Sequence, residues 1–273
     1  LASVHLVACS EPEADADVSR AIDAVNVIDE SNLNDLMMNS ADPKEAVRYF
    51  TDASAQNPDR VDLKRGLAQS LVKSGNSTTS LVTWQDVVDS PEATNADRVE
   101  FADALIRSGE WERAEEQLDK IPPTYETFKR YRLEAMVADS ERDWKRADSF
   151  YETAVGLTTR PAGVLNNWGY SKLTRGDFAG AEKLFGETLG YDPNMFTAKN
   201  NLVLARGAQG NYKMPVIPMT QTERAELMNT LALAAVKRGD VETGKSLLRE
   251  AIETHPQHFD SAVRSLRTLE NGA

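Results

Sequence analysis

The chain has 273 residues, of which 41% are apolar and 27% charged, so a folded body with a sizeable buried interior is expected rather than disorder. A net charge of −12 argues against nucleic acid, which calls for a basic stripe, and against purely electrostatic attachment to anionic lipid; a basic or neutral protein partner fits better. One cysteine excludes an internal disulfide framework, three scattered histidines leave few metal ligands, and no apolar run approaches the roughly 18 residues of a membrane-spanning helix.

In chain order, residues 1–8 begin without methionine and end in Leu6-Val7-Ala8, immediately before Cys9. This stretch resembles the lipobox of bacterial lipoproteins, which implies that residues 1–8 are a signal-peptide remnant and that Cys9 is the lipidated N-terminus. The alternative is a chance apolar run before a lone thiol. Residues 9–17 continue as an acidic, polar stretch with the composition of a tether. Val18, Ala21, Ile22, Val25 and Ile28 then carry helical spacing and predict a leading helix.

From there a period takes over. Short hinges recur at Ala41-Asp42-Pro43, Gly75-Asn76-Ser77, Gly109-Glu110-Trp111, Arg142-Asp143-Trp144, Gly176-Asp177-Phe178, Gly210-Asn211-Tyr212 and Gly239-Asp240-Val241, with steps of 34, 34, 33, 34, 34 and 29 residues. Each places a helix stop before what is usually a residue that can cap the next helix. Packing positions keep the same step. Small residues, mostly, stand at 34, 68, 102, 135, 169, 203 and 232 in the first helices and at 46, 80, 114, 147, 181 and 244 in the second. Large ones follow at Phe50, Trp84, Leu118, Tyr151, Phe185 and Leu248. Two departures are visible. After a first helix at 196–209, Met214-Pro-Val-Ile-Pro-Met219 cannot form an ordinary second helix. Phe259 to Leu269 stands alone as a terminal capping helix.

The unit from Ala162 to Pro193 shows the pattern at its clearest. Gly169, Ala181, Phe185 and Pro193 fall on the landmarks of the tetratricopeptide repeat, which the unit resembles, while Lys172 stands where tyrosine is usual. The resemblance implies an all-α solenoid, a right-handed superhelix of about seven helical hairpins over residues 18–273, with the sixth degenerate around 210–220. It also implies that first helices line a concave groove into which sites five and six of each unit look. Those sites hold Arg65, Arg132, Asn166, Asn167, Asn200, Asn201 and Asn229. Amides offer a donor and an acceptor together, matching a peptide backbone, and arginine can hold a carboxylate in a bidentate pair. Asn167 and Asn201 also have a structural explanation, since asparagine at site six is common in such repeats.

Other motifs carry less. Gly239 to Ser246 matches the P-loop pattern letter for letter, but a helical segment rather than a strand precedes it, and both glycines fall on repeat positions. Lys245 is therefore expected on a helix surface. His255 and His258 lack a third ligand nearby, and no constellation of catalytic residues stands out, so neither a cofactor nor a catalytic site is expected.

Segments 138–144, 164–170 and 215–224 are similar to the TadD-type lipoproteins of the tight-adherence (Flp) pilus system, a resemblance that runs from about Asn32 to Phe259. It implies a lipid-anchored, non-enzymatic scaffold facing the periplasm at the outer membrane, whose protein partner would be a secretin or another pilus-assembly component. Two alternatives stay open at this point. One is a general periplasmic adaptor for cell-wall enzymes or outer-membrane assembly. The other is a nucleotide-dependent enzyme using residues 239–246.

Overall fold

The computed structural model describes residues 33–271, and every regular element among them is helical. Cys9, the acidic stretch and the leading helix expected at 18–28 lie outside the described residues. After a helical segment at 33–39 come thirteen helices, which divide between two compact units with the boundary at Ile121 and Pro122.

The first unit contains α1 (Pro43–Gln56), α2 (Val61–Lys73), α3 (Ser77–Val88), α4 (Asn95–Arg107) and α5 (Trp111–Asp119). The second contains α6 (Phe128–Ser140), α7 (Trp144–Gly156), α8 (Ala162–Thr174), α9 (Phe178–Tyr191), α10 (Phe196–Ala208), α11 (Gln221–Lys237), α12 (Val241–Thr254) and α13 (Asp260–Asn271). Helices pair in sequence as hairpins: α2 with α3, α4 with α5, α6 with α7, α8 with α9 and α11 with α12.

The hinges end the helices by the expected means. Gly75, Gly109, Gly176, Gly210 and Gly239 all have φ between 77° and 94°, the left-handed region that costs glycine nothing. Arg142 occupies the same hinge position at φ 63°. Capping is less uniform than the sequence suggests. Asp42, Asp143 and Asp177 accept hydrogen bonds from the first-turn N–H groups of their helices, whereas the side chains of Asn76, Glu110 and Asp240 do not. Asp240 instead accepts from the Tyr212 hydroxyl.

The repeat positions form the core. Ala68, Ala102, Ala135, Gly169, Val203 and Ala232 are buried, as are Ala46, Ser80, Ala114, Ala147, Ala181 and Gly244 in the second helices. The six large residues that follow, from Phe50 to Leu248, are buried in every hairpin. Gly169 shows why a small residue is needed at its position: a Cβ there would lie 2.7 Å from Cε1 of Phe185. Each hairpin thus buries an apolar seam, and within each unit its contact with the next hairpin continues that seam, as solenoid stability requires.

Where the sixth hairpin loses its second helix, residues 211–220 run as an irregular strap. Met214 and Met219 pack against Val203, Leu227 and Leu231, Ile217 packs on the cluster around Phe185, Pro215 is buried, and Val216 is left fully exposed. The strap therefore fills by extended chain the space that a helix would otherwise occupy. Thr220 and Glu223 then make the expected capping box, and α11 begins. At the other end, α13 covers Leu248 with Ala262, Leu266 and Leu269.

Candidate partner-binding face

Within the second unit, α6, α8 and α10 touch in that order, and α10 touches α11 directly because no second helix intervenes. Polar side chains tie each first helix to the one before it. Ser171 on α8 donates to Asp139 on α6 at 2.6 Å, and Asn167 Nδ2 lies 3.5 Å from Met136 Sδ. Asn201 on α10 donates to Asn166 Oδ1 at 3.3 Å, and Thr230 on α11 donates to Asn200 Oδ1 at 2.7 Å. Lys199, buried on α10, reaches Glu223 at 2.9 Å. These bonds fix the register of successive helices, so that equivalent positions line up.

The lined-up positions include Arg132, Asn166, Asn200 and Asn229, all half-buried. Their chemistry differs from the sequence expectation in one respect. The oxygens of Asn166 and Asn200 are already taken by the neighbouring helix, so those amides offer N–H donors rather than a donor and an acceptor together. Arg132 Nε and Asn229 Oδ1 are buried without a hydrogen-bond partner among the described residues. An unanswered buried polar atom costs free energy, and because both atoms are closed to solvent they add no hydrogen-bonding group to the face itself.

One turn along each helix stands an apolar residue that sequence reasoning passed over: Met136, Tyr170, Leu204 and Leu233, each four positions after a member of the polar row. Tyr170 is 55% exposed and Leu233 47%. The signal was available as an i, i+4 repeat of large apolar residues on helices whose core positions were already assigned. Polar donors beside an apolar stripe suit a polypeptide that presents carbonyl groups along one edge and apolar side chains along the next.

One expected site residue has other work, and one residue expected on a helix surface is less open than that. Arg65, in the first unit, already holds a carboxylate of its own chain. Its Nε and Nη2 donate to the two oxygens of Asp97 at 2.7 and 2.9 Å, and Nη2 also donates to the Glu92 carbonyl at 2.9 Å. Asp97 closes the capping box with Thr94 at the start of α4, so the pair fastens α2 to α4. Burial works to raise the Asp97 carboxyl, but Arg65 and Thr94 outweigh it and hold the group below the usual carboxylate range. Lys245, expected on an open surface, has a side chain only 12% exposed, with its ammonium 3.0 Å from Glu242.

The P-loop-like stretch has the geometry of a repeat junction. Helix α11 runs into it, Gly239 is a hinge, and a Cβ at Gly244 would lie 3.1 Å from the Ala232 carbonyl, a close approach of two helices. His255 stacks on Phe259 and His258 lies 3.0 Å from Asp260; among the described residues no three His, Cys, Asp or Glu side chains group as metal ligands.

Comparison with known proteins agrees with this architecture. The tetratricopeptide-repeat family model matches residues 166–213, the span from α8 to the strap. No curated protein matches the sequence. Among solved structures, the chain is similar to one in the APC/C hetero-tetramer Cut9-Hcn1, with a TM-score of 0.62 and 13% identity, over 86% of this chain and 47% of that one. It thus spans about half the length of that relative. A tetratricopeptide repeat protein from Parabacteroides merdae gives a TM-score of 0.59 at 12% identity, over 88% of this chain and 97% of that one. PilW, described as a widely conserved type IV pilus biogenesis factor, gives 0.57 at 14% identity, over 71% and 92%. Identities this low carry the fold and nothing finer, and the fold is the tetratricopeptide-repeat solenoid, built of stacked helical hairpins.

Proposed function

We propose that this protein is a non-enzymatic scaffold that holds a polypeptide partner along the face formed by α6, α8, α10 and α11. The observation that carries this reading is the row of half-buried Arg132, Asn166, Asn200 and Asn229, in which the amide oxygens of Asn166 and Asn200 are engaged and their N–H groups are spare, beside the exposed Tyr170 and Leu233. Such a row can follow a backbone without dictating its sequence. The finer reading is that the protein is a lipoprotein anchored through Cys9 to the periplasmic face of the outer membrane, where it assists assembly of the tight-adherence pilus or its secretin. Its support is the lipobox-like sequence before Cys9, the likeness of three segments to TadD-type lipoproteins, and the fact that PilW, of the same fold, is a pilus biogenesis factor.

The test is genetic and biochemical in the source bacterium. Deleting the gene should abolish surface pili and reduce the secretin multimer, and wild-type protein should restore both. Cys9→Ala should leave the membrane fraction and fail to restore. Normal pili in the deletion strain would refute the pilus assignment, and an unmodified Cys9 thiol in the mass of the native protein would refute the anchor.

A further inference from the structure

The partner-binding face carries no charge at its centre. Gly163, Asn166 and Tyr170 share one side of α8, and Thr197, Asn200 and Leu204 the matching side of α10, each trio spaced three and four apart and each member half-buried or exposed. The charged residues of these two helices are engaged elsewhere: Lys172 with Asp148 and Asp177, Lys199 with Glu223 and Arg206 with Glu182. In a chain with 27% charged residues and a net charge of −12, this area selects an uncharged partner, because a charged one would lose hydration there and meet no counter-charge. The amides add a second requirement. With the oxygens of Asn166 and Asn200 taken, only their N–H groups are spare, so the partner must bring carbonyls that its own conformation leaves open. An α-helix spends its backbone carbonyls internally, whereas an isolated strand or a polyproline II helix leaves them free.

Spacing separates those two. The amide row and the apolar row each repeat once per first helix, α8 and α10 are in direct contact through the Asn201–Asn166 bond, and packed helices lie roughly 8–10 Å apart. A polyproline II helix returns to the same side at every third residue, after about 9.3 Å. A strand returns after about 6.7 Å and shows its opposite side at the third residue, so it loses register within one step. We propose that the partner segment is an uncharged polyproline II helix, with an apolar residue at every third position against Tyr170 and Leu204 and a line of backbone carbonyls facing Asn166 and Asn200. The exposed ring of Tyr170 is the kind of surface on which such a helix docks. The inference rests on the scaffold reading and adds to it the conformation and chemistry of the partner.

The probe is a dye-labelled, end-blocked peptide of three Leu-Pro-Pro units, titrated with the full chain and read by fluorescence anisotropy at physiological salt. Two peptides of equal length serve as controls: alternating Leu-Thr, which favours a strand, and three Lys-Pro-Pro units, which the net charge of the protein alone would attract. The Leu-Pro-Pro peptide should bind with a Kd on the order of 0.1 mM, at least about tenfold more tightly than either control. Tyr170→Ala, at an exposed position, should weaken it about tenfold, and Tyr191→Ala, at an exposed position on α9, should leave it unchanged. Asn166→Asp keeps an oxygen for Asn201 but replaces the spare N–H by an acceptor, and should also weaken it about tenfold. No binding of the Leu-Pro-Pro peptide at millimolar concentration, equal binding of either control, or affinity unmoved by Tyr170→Ala and Asn166→Asp would overturn the inference. Cross-linking in the cell from a photoreactive residue at Tyr170 tests the scaffold reading separately, so an adduct there without Leu-Pro-Pro binding refutes the polyproline conformation alone.

Discussion

Gly169→Ala tests the packing logic on which the partner-binding face rests. The added Cβ would lie 2.7, 2.9 and 3.0 Å from three ring carbons of Phe185, a fully buried side chain with no free end to swing away. Overpacking of this kind costs about 1–3 kcal/mol, and the gain from replacing a helical glycine offsets about 1 of it, so a net loss of about 1 kcal/mol is expected. Other hairpins contain the compensated pair: Ala102 with Leu118 and Ala232 with Leu248, all buried. Phe185→Leu alone should cost about 1–2 kcal/mol through the space it leaves. The double variant should be no less stable than Phe185→Leu, which corresponds to a coupling of about 1 kcal/mol. Urea midpoints at unchanged slope would measure the cycle. If the two losses simply add to within about 0.5 kcal/mol, the close approach of Gly169 and Phe185 does not set the hairpin geometry.

Arg142 strains a hinge that five other repeats give to glycine, so Arg142→Gly should raise stability by about 1 kcal/mol in the same assay. Asp97, held ionised by Arg65, has a folded pKa below its unfolded one, so its stabilisation is complete above the ordinary carboxylate pKa and is lost as pH falls through the lowered one. Asp97→Ala should cost about 3 kcal/mol at pH 7 and flatten that acid limb. Asp139 behaves oppositely. Burial, only partly offset by its bonds from Ser171 and Tyr151, raises its pKa, so its ionisation penalises the fold as pH rises from the ordinary carboxylate pKa through the raised one. Asp139→Asn should therefore leave stability near neutral pH unchanged or slightly higher and remove that decline, as read from urea midpoints between pH 4 and pH 7.

The hairpins were legible in the sequence because a helix stop needs a left-handed residue and a close approach needs a small one, and both requirements recur at a fixed step. Even Arg142 was found by position rather than by chemistry. The strap was legible too, since Pro215 and Pro218 forbid a helix, and its apolar residues had to pack or stand exposed; Met214, Ile217 and Met219 pack and Val216 does not. What could not be read was the destination of polar tips. Arg65 and Asp97 are thirty-two residues apart and meet only because adjacent first helices are neighbours. The Asn166 and Asn200 oxygens are spent in the same way, on partners thirty or more residues away. Asp240 looked like a cap and serves Tyr212 instead. Periodicity identifies which residues share a face, but hydrogen-bond partners across that face depend on side-chain reach.

The most direct measurement of the central claim is photo-cross-linking in the source bacterium from a photoreactive residue placed at Tyr170, beside the amide row, or at Tyr191 on α9, which is 63% exposed and lies outside it. The account predicts a discrete polypeptide adduct from position 170 that disappears when Asn166, Asn200 and Asn229 are replaced together by alanine, with none from position 191. Adducts from position 191 alone, or an adduct from position 170 undiminished by the triple replacement, would contradict it.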